Sequence, residues 1–183
     1  NATNFLIEPM QENLEQGRKN FELNNIQGHF TNAFMGKTYN PHAVFDNWDG
    51  RKIPMEQISI DYFVEKHNIP FINILHSDIQ EAECDMLLGC EQTIKDKKIG
   101  YFFISTHSNN IHDKCIQFLK ENDFIIVAEH NLTESYSLDG LIVPKSKYIN
   151  GPEQVSITKR KRTFWEKNCK LIDKIKYKLK YGV

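Results

Sequence analysis

The stretch at residues 71–90 constrains the fold of this chain more than any other. An apolar run at residues 71–75 ends in polar residues, and apolar side chains then recur at helical spacing over residues 80–90. A short apolar run bounded by polar residues is typical of a buried strand. A strand that leads into a helix is typical of a parallel sheet. In open α/β sheets, ligands bind at the carboxyl ends of the strands. The stretch therefore predicts an α/β fold and the edge where its chemistry takes place.

The rest of the chain repeats this alternation. The predicted strands are residues 4–8, 29–34, 99–104, 124–128 and 138–143, and the predicted helices are residues 11–24 and a segment with Ile111, Cys115, Phe118 and Leu119 on one face. Residues 36–56 are rich in Gly, Pro, Asn and Asp, which predicts a loop or two weak strands. Residues 58–67 predict a short helix, or a strand followed by a helix. We therefore expect a mostly parallel sheet with an antiparallel hairpin, formed by the last two strands, at its edge.

Composition narrows the class of protein. The chain has 183 residues, of which 40% are hydrophobic and 26% charged, as in an ordinary globular domain. No apolar run approaches the roughly 20 residues of a membrane span, and no secretory signal is visible. The four cysteines contain no C-x-x-C pair, so we expect reduced core thiols in a cytoplasmic protein.

Charge divides the chain into two parts. Residues 151–183 hold 10 Lys and Arg against 3 Asp and Glu, whereas residues 1–150 hold 13 against 21. Trp165, Ile172 and Leu179 repeat every seven residues in the basic part, which predicts a basic amphipathic helix behind a domain at residues 1–150. That helix could pack on its own domain, or it could contact nucleic acid or an anionic membrane through residues 159–181.

Polar residues cluster after the strand at residues 71–75. His76, Asp78, Gln80 and Glu83 follow it, and histidines and carboxylates are the usual proton-transfer groups. Asp78 has a second interpretation as the N-cap of the next helix, with Glu81 three residues later.

His107 follows the next buried strand and is expected at the same sheet edge as His76. These two histidines and Asp78 could in principle hold a metal, but no motif has metal-ligand spacing, and we expect no metal site. Ser108 or Asn109 is the predicted N-cap of the following helix.

Glu8 ends the first strand, at the position that binds a ribose in nucleotide-binding α/β folds. The alternative is an exposed loop residue. The companion signal, a Gly-rich loop about 20 residues earlier, has no room here because only seven residues precede Glu8. We expect that an N-terminal portion is missing.

Four segments, taken in order, resemble FkbM-type S-adenosylmethionine-dependent methyltransferases, which have a class I, Rossmann-like fold. They are Phe5-Leu-Ile-Glu8-Pro9, Ile58-Ser-Ile-Asp61, the stretch at residues 74–89, and Ile104-Ser-Thr-His107. The resemblance covers about residues 4–143. It departs from the family pattern at His76, where a Lys is usual, and at Glu81, where a Gly is usual. The family's first strand and its Gly-rich loop have no counterpart, so the resemblance implies an N-terminally incomplete methyltransferase domain.

The resemblance also implies a cofactor site for S-adenosylmethionine. Glu8 would bind its ribose, and the strand end formed by Asn32, Ala33 and Phe34 would bind its adenine. Phe34 could equally be a core aromatic residue. Asp78 would lie beside the methyl donor.

The implied reaction is methylation of a hydroxyl group on a sugar or small metabolite. His76 or His107 would act as the base, with Glu83 in the same cluster. Two alternatives stay open: a catalytically degenerate binding module, suggested by His76 and Glu81, and an RNA-associated methyltransferase that uses the basic tail.

Overall fold

The structure, a computed structural model, describes residues 3–47 and 49–161. Most of the predicted basic tail, including Trp165, Ile172 and Leu179, lies outside these residues. The strands are β1 Phe5–Ile7, β2 His29–Thr31, β3 Phe34–Met35, β4 Asn40–Asp46, β5 Lys52–Ile58, β6 Ile72–Ser77, β7 Ile99–Thr106, β8 Phe124–His130 and β9 Gly140–Ser146. The helices are α1 Gln11–Leu23, α2 Ile60–Lys66, α3 Glu83–Leu88, α4 Glu91–Lys95 and α5 Asn109–Glu121. This order confirms a mixed α/β architecture.

The described strands form three sheets. The largest has the order β6-β7-β9-β8, with β6 and β7 parallel and β9 antiparallel to both of its neighbours. Strands β1 and β2 form a parallel pair, and β3, β5 and β4 form a third sheet. Among the described strands, three of six pairings are antiparallel, so the sheets are mixed rather than mostly parallel. The predicted antiparallel hairpin of the last two strands is confirmed, since β8 pairs with β9 at the edge of the four-stranded sheet. Residues 36–56, predicted as a loop or two weak strands, contribute the β4–β5 hairpin.

The predicted strand at residues 29–34 is two strands. Asn32 and Ala33 separate β2 from β3, and the two strands pair with β1 and β5, respectively. The single predicted strand therefore contributes to two sheets.

The predicted helix at residues 80–90 is wrong at its start. Gln80 and Glu81 have φ angles of 51° and 75°, which is left-handed backbone and cannot continue into a right-handed helix. Helix α3 begins at Glu83 with Ala82 as its N-cap. The interpretation of Asp78 as a helix cap is therefore also wrong, and its carboxylate is available for other contacts.

The main core lies between the four-stranded sheet and helices α3 and α5. Alternate residues of β7 are buried, as expected for a strand with one covered face. The core includes Met86, Leu87, Phe102, Ile104, Cys115, Leu119 and Ile142. Helix α5 begins at the predicted cap, because the Ser108 hydroxyl accepts the Ile111 N–H at 3.2 Å.

A smaller core forms beside the first. Ala33, Ile58 and Phe63 are its buried members, and Met35 and Ile69 pack against both cores. Apolar contacts through Met35 and Ile69 therefore join the two cores.

Asp61, from one of the family-like segments, has a structural role. Its Oδ1 accepts the Thr93 N–H at 2.7 Å and its Oδ2 accepts the Gln92 N–H at 3.0 Å. These two amides lie in the first turn of α4, so Asp61 caps that helix from a distant segment.

Cys84, Cys90 and Cys115 are free thiols, as predicted, and the last two are buried. Burial raises the pKa of both the Cys90 and the Cys115 thiol, which keeps them protonated. Among the helices that the structure describes, none has the length and apolar character needed to cross a membrane.

Candidate functional site

His107 lies just beyond the carboxyl end of β7, and its side chain is only 12% exposed. Its Nδ1 is 2.6 Å from Oε1 of Glu83, a carboxylate with no exposed surface in the first turn of α3. A buried carboxylate beside an imidazole fixes which ring nitrogen carries the proton, since only an N–H can donate to it. An ionised Glu83 therefore favours a proton on Nδ1 and leaves Nε2 of a neutral imidazole as the hydrogen-bond acceptor.

Three polar groups surround Nε2 of His107. Asp78 Oδ1 lies at 3.1 Å, Gln80 Nε2 at 3.2 Å and Asp139 Oδ1 at 3.7 Å. A neutral imidazole accepts a hydrogen bond from the Gln80 amide at this nitrogen, whereas an imidazolium donates to Asp78. The site can thus accommodate both protonation states of His107.

Glu83 has unused hydrogen-bonding capacity. Its Oε2 is buried and has no hydrogen-bond partner within residues 3–47 and 49–161. An unmatched carboxylate oxygen is costly in a folded protein. Here it belongs to the residue that orients His107, which points to a functional rather than a packing role.

Asp139 is a site residue that was not predicted from the sequence. The predicted strand begins two residues earlier, at Leu138, whereas β9 begins at Gly140. Because β9 runs antiparallel to β7, with Thr106 opposite Gly140, its amino end meets the carboxyl end of β7. The direction of β9, rather than any local motif, brings Asp139 to His107.

His76 lies apart from this cluster. Its side chain is exposed and makes no hydrogen bond or ion pair with another residue in the described part of the chain. In the register it stands opposite Phe103, four residues before His107, or roughly 13 Å along the strand at 3.3 Å per residue. The structure brings together Asp78, Glu83 and His107, but not His76.

Glu8 directly follows β1, beside the end of β2. Its N–H donates to the Thr31 carbonyl at 3.1 Å. Its Oε1 accepts from the Met10 N–H at 2.8 Å and from Asn13 Nδ2 at 3.2 Å. The other carboxylate oxygen, Oε2, accepts no hydrogen bond from a described residue, so it can accept one from the hydroxyl of a ligand.

The remaining predicted cofactor residues surround this strand end. Asn32 Nδ2 donates to the carbonyls of Glu8 and Pro9 at 3.0 and 2.9 Å, which fixes the turn that carries Glu8. Ala33 is fully buried. Phe34 is half-buried and packs against Phe45 with ring centroids 5.4 Å apart, so its predicted place against an adenine stays a prediction.

A second polar network, also missed from the sequence, lies behind the site. Thr106 Oγ1 and His112 Nδ1 are 2.9 Å apart, and His112 Nε2 is 3.4 Å from Glu129 Oε2. Burial lowers the pKa of His112, although the Glu129 carboxylate opposes this effect. Glu129 in turn contacts Lys159 at 2.9 Å.

The described residues provide no set of side chains that could bind a metal ion. Among residues 3–47 and 49–161, no group of three or more His, Cys, Asp and Glu side chains is arranged to hold a metal ion.

Comparison with known proteins identifies one family. A model described as the methyltransferase FkbM domain matches residues 2–126, which confirms the resemblance of the four segments. The match includes Glu8, Asp78, Glu83 and His107, and it ends before Asp139. Neither the curated proteins nor the solved structures gave a match.

Proposed function

Because this chain belongs to the FkbM methyltransferase family, we propose that it transfers a methyl group from S-adenosylmethionine to a hydroxyl group of a sugar or small metabolite. The observation that carries this proposal is the placement of His107 between the buried Glu83 and Asp78, at distances of 2.6 and 3.1 Å. Methylation of a hydroxyl group needs a base at the attacking oxygen. The position of His107 between two carboxylates suits it to this role.

The proton follows a short path in this proposal. His107 Nε2 accepts the hydroxyl proton as the oxygen forms its bond to the methyl carbon. S-adenosylmethionine would supply the methyl group, and its sulfur would retain the electron pair of the carbon–sulfur bond. Glu83 and Asp78 then compensate the charge of the imidazolium, as carboxylates do for catalytic histidines elsewhere. His107 is the proposed base rather than His76, which has no orienting partner among the described residues.

The residues present fit the cofactor. When bound, S-adenosylmethionine supplies an activated methyl group on a positively charged sulfur. The free Oε2 of Glu8 would accept a ribose hydroxyl, and Asn32 would hold the Glu8–Pro9 turn in place for it. Asp78, half-exposed at its strand end, would provide negative charge near the sulfonium. A Rossmann-like sheet is the framework that this arrangement implies.

The experiment measures cofactor binding and methyl transfer separately on the full-length protein. Calorimetry with S-adenosylmethionine reports binding, and transfer of a radiolabelled methyl group to a panel of methyl hexopyranosides reports activity. We expect His107→Asn to lower kcat by about 10²- to 10⁴-fold, the usual contribution of a general base, without loss of cofactor binding. Glu8→Gln should weaken cofactor binding instead.

His76→Asn is the matched control, since it makes the same change one strand away. We expect it to keep most of the activity. If the full-length protein gives no heat with millimolar S-adenosylmethionine, the enzyme proposal fails and a degenerate binding module becomes the better description. If His76→Asn is inactive and His107→Asn is active, the base has been assigned to the wrong histidine.

A further inference from the structure

A segment beyond the family match lies against the domain beside β8. We name residues 151–161 the C-terminal strap. The Gly151 carbonyl accepts a hydrogen bond from Lys145 Nζ at 3.1 Å, and the Val155 N–H donates to the Val127 carbonyl at 2.8 Å. The strap therefore runs beside β8, although it forms no ladder with it.

Side-chain packing holds the strap only loosely. A cavity of about 570 Å³ is lined by α5, β8 and the strap. Apolar residues on all three sides, among them Ile116, Ile126 and Ile157, border this space. Polar contacts near the C-terminal end of the strap must therefore provide much of its attachment to the domain.

Lys159 provides this anchor. Its Nζ lies 2.9 Å from Glu129 Oε1 and 2.9 Å from Glu134 Oε2. The next residue adds a backbone bond, since the Arg160 N–H donates to the Glu134 carbonyl at 2.7 Å. One lysine thus links the end of β8 to the segment that follows it.

That segment, residues 131–139, leads to the candidate site, and we name it the site loop. Asn131 Oδ1 accepts the N–H groups of Thr133 and Glu134 at 2.9 and 3.2 Å. Ser137 Oγ donates to the Asp139 carbonyl at 3.1 Å. Local hydrogen bonds thus order both halves of the loop, residues 131–134 and residues 135–139. Its last residue, Asp139, lies 3.7 Å from His107 Nε2.

We propose that Lys159 is a positioning residue: by bridging Glu129 and Glu134, it holds the site loop so that Asp139 stays beside His107. Its consequence for methyl transfer rests on the proposed function. Glu129 provides a second connection between Lys159 and the site. The same carboxylate faces the buried His112, which contacts Thr106 next to His107. Lys159 touches no reacting group itself and acts through the loop.

Hydrogen–deuterium exchange on the full chain tests this positioning without any substrate. In Lys159→Met we expect amide exchange in the site loop to rise by roughly three- to tenfold, as the loss of two partly exposed ion pairs would allow. Lys159→Arg should restore protection, since a guanidinium has enough donors for two carboxylates. Lys147→Met is the matched control: it removes another surface pair, 2.9 Å from Asp123, and should leave exchange in the site loop unchanged.

Methyl-transfer kinetics provide the second measurement. Lys159→Met should alter kcat or the acceptor KM by about the factor seen in exchange, with unchanged affinity for S-adenosylmethionine by calorimetry. Site-loop exchange that is the same in Lys159→Met and the parent chain overturns the positioning role, whatever the activity. A parent chain that neither binds the cofactor nor transfers methyl groups sinks the proposed function, while the exchange result still decides the role of Lys159.

Discussion

Replacing Glu81 by glycine should stabilise this protein. Glu81 has a φ of 75° and follows Gln80 at 51°, in the turn that joins β6 to α3. A side chain with a Cβ atom costs about 1–2 kcal/mol in left-handed backbone. Glycine avoids this cost but adds about 0.4–1 kcal/mol of conformational entropy to the unfolded chain. The difference predicts a net gain of about 0.5–1 kcal/mol in the free energy of unfolding for Glu81→Gly.

Two further variants separate backbone strain from charge. Glu81→Ala removes the same carboxylate from the neighbourhood of Asp78 and Glu83 but keeps a Cβ atom in left-handed backbone. The difference between the glycine and alanine variants therefore isolates the backbone contribution. Asn68→Gly, at a φ of 50°, should gain less, because asparagine tolerates this conformation better than glutamate.

Equilibrium unfolding in urea, followed by circular dichroism, gives the three free energies. A melting curve provides a check, since 1 kcal/mol shifts the Tm of a chain of this size by about 2–4 °C. If Glu81→Gly is no more stable than Glu81→Ala, the left-handed turn is not strained and the reasoning is refuted.

Three further predictions concern the helix cap and the buried network. Gly140→Ala should lower stability by about 1–3 kcal/mol, because a Cβ atom there would lie 2.5 Å from Thr106 Oγ1 and 2.9 Å from His112 Nδ1; an unchanged Tm would contradict the packing. Asp61→Ala should cost about 1–2 kcal/mol in urea unfolding, since it removes the cap that Thr93 donates to, and Asp61→Asn should lose less. Because burial lowers the pKa of His112, the unfolded chain takes up this proton first as the pH falls below about 6.5. Stability should therefore decline below that pH, and His112→Gln should flatten the decline; identical pH profiles would show that His112 does not contribute.

The local patterns of the sequence were sufficient for most of the elements and for part of the site. Apolar runs predicted most strands, and the polar residues at the ends of these runs included Glu8, Asp78 and His107. The helix at residues 80–90 began three residues late in the structure, because the left-handed backbone at Gln80 and Glu81 leaves no periodic signal.

By itself, then, the sequence determined the alternation of strands and helices, the family, and which polar residues end the strands, since all of these depend on neighbouring residues. Only the tertiary structure decided their partners. His107 meets Glu83 from 24 residues away, and Asp139 reaches the same nitrogen because β9 runs antiparallel to β7. Lys159 joins Glu129 and Glu134 across the end of a strand. Such contacts depend on strand direction, register and chain reversal, which are set by packing of the whole core and leave no trace in any local stretch of sequence.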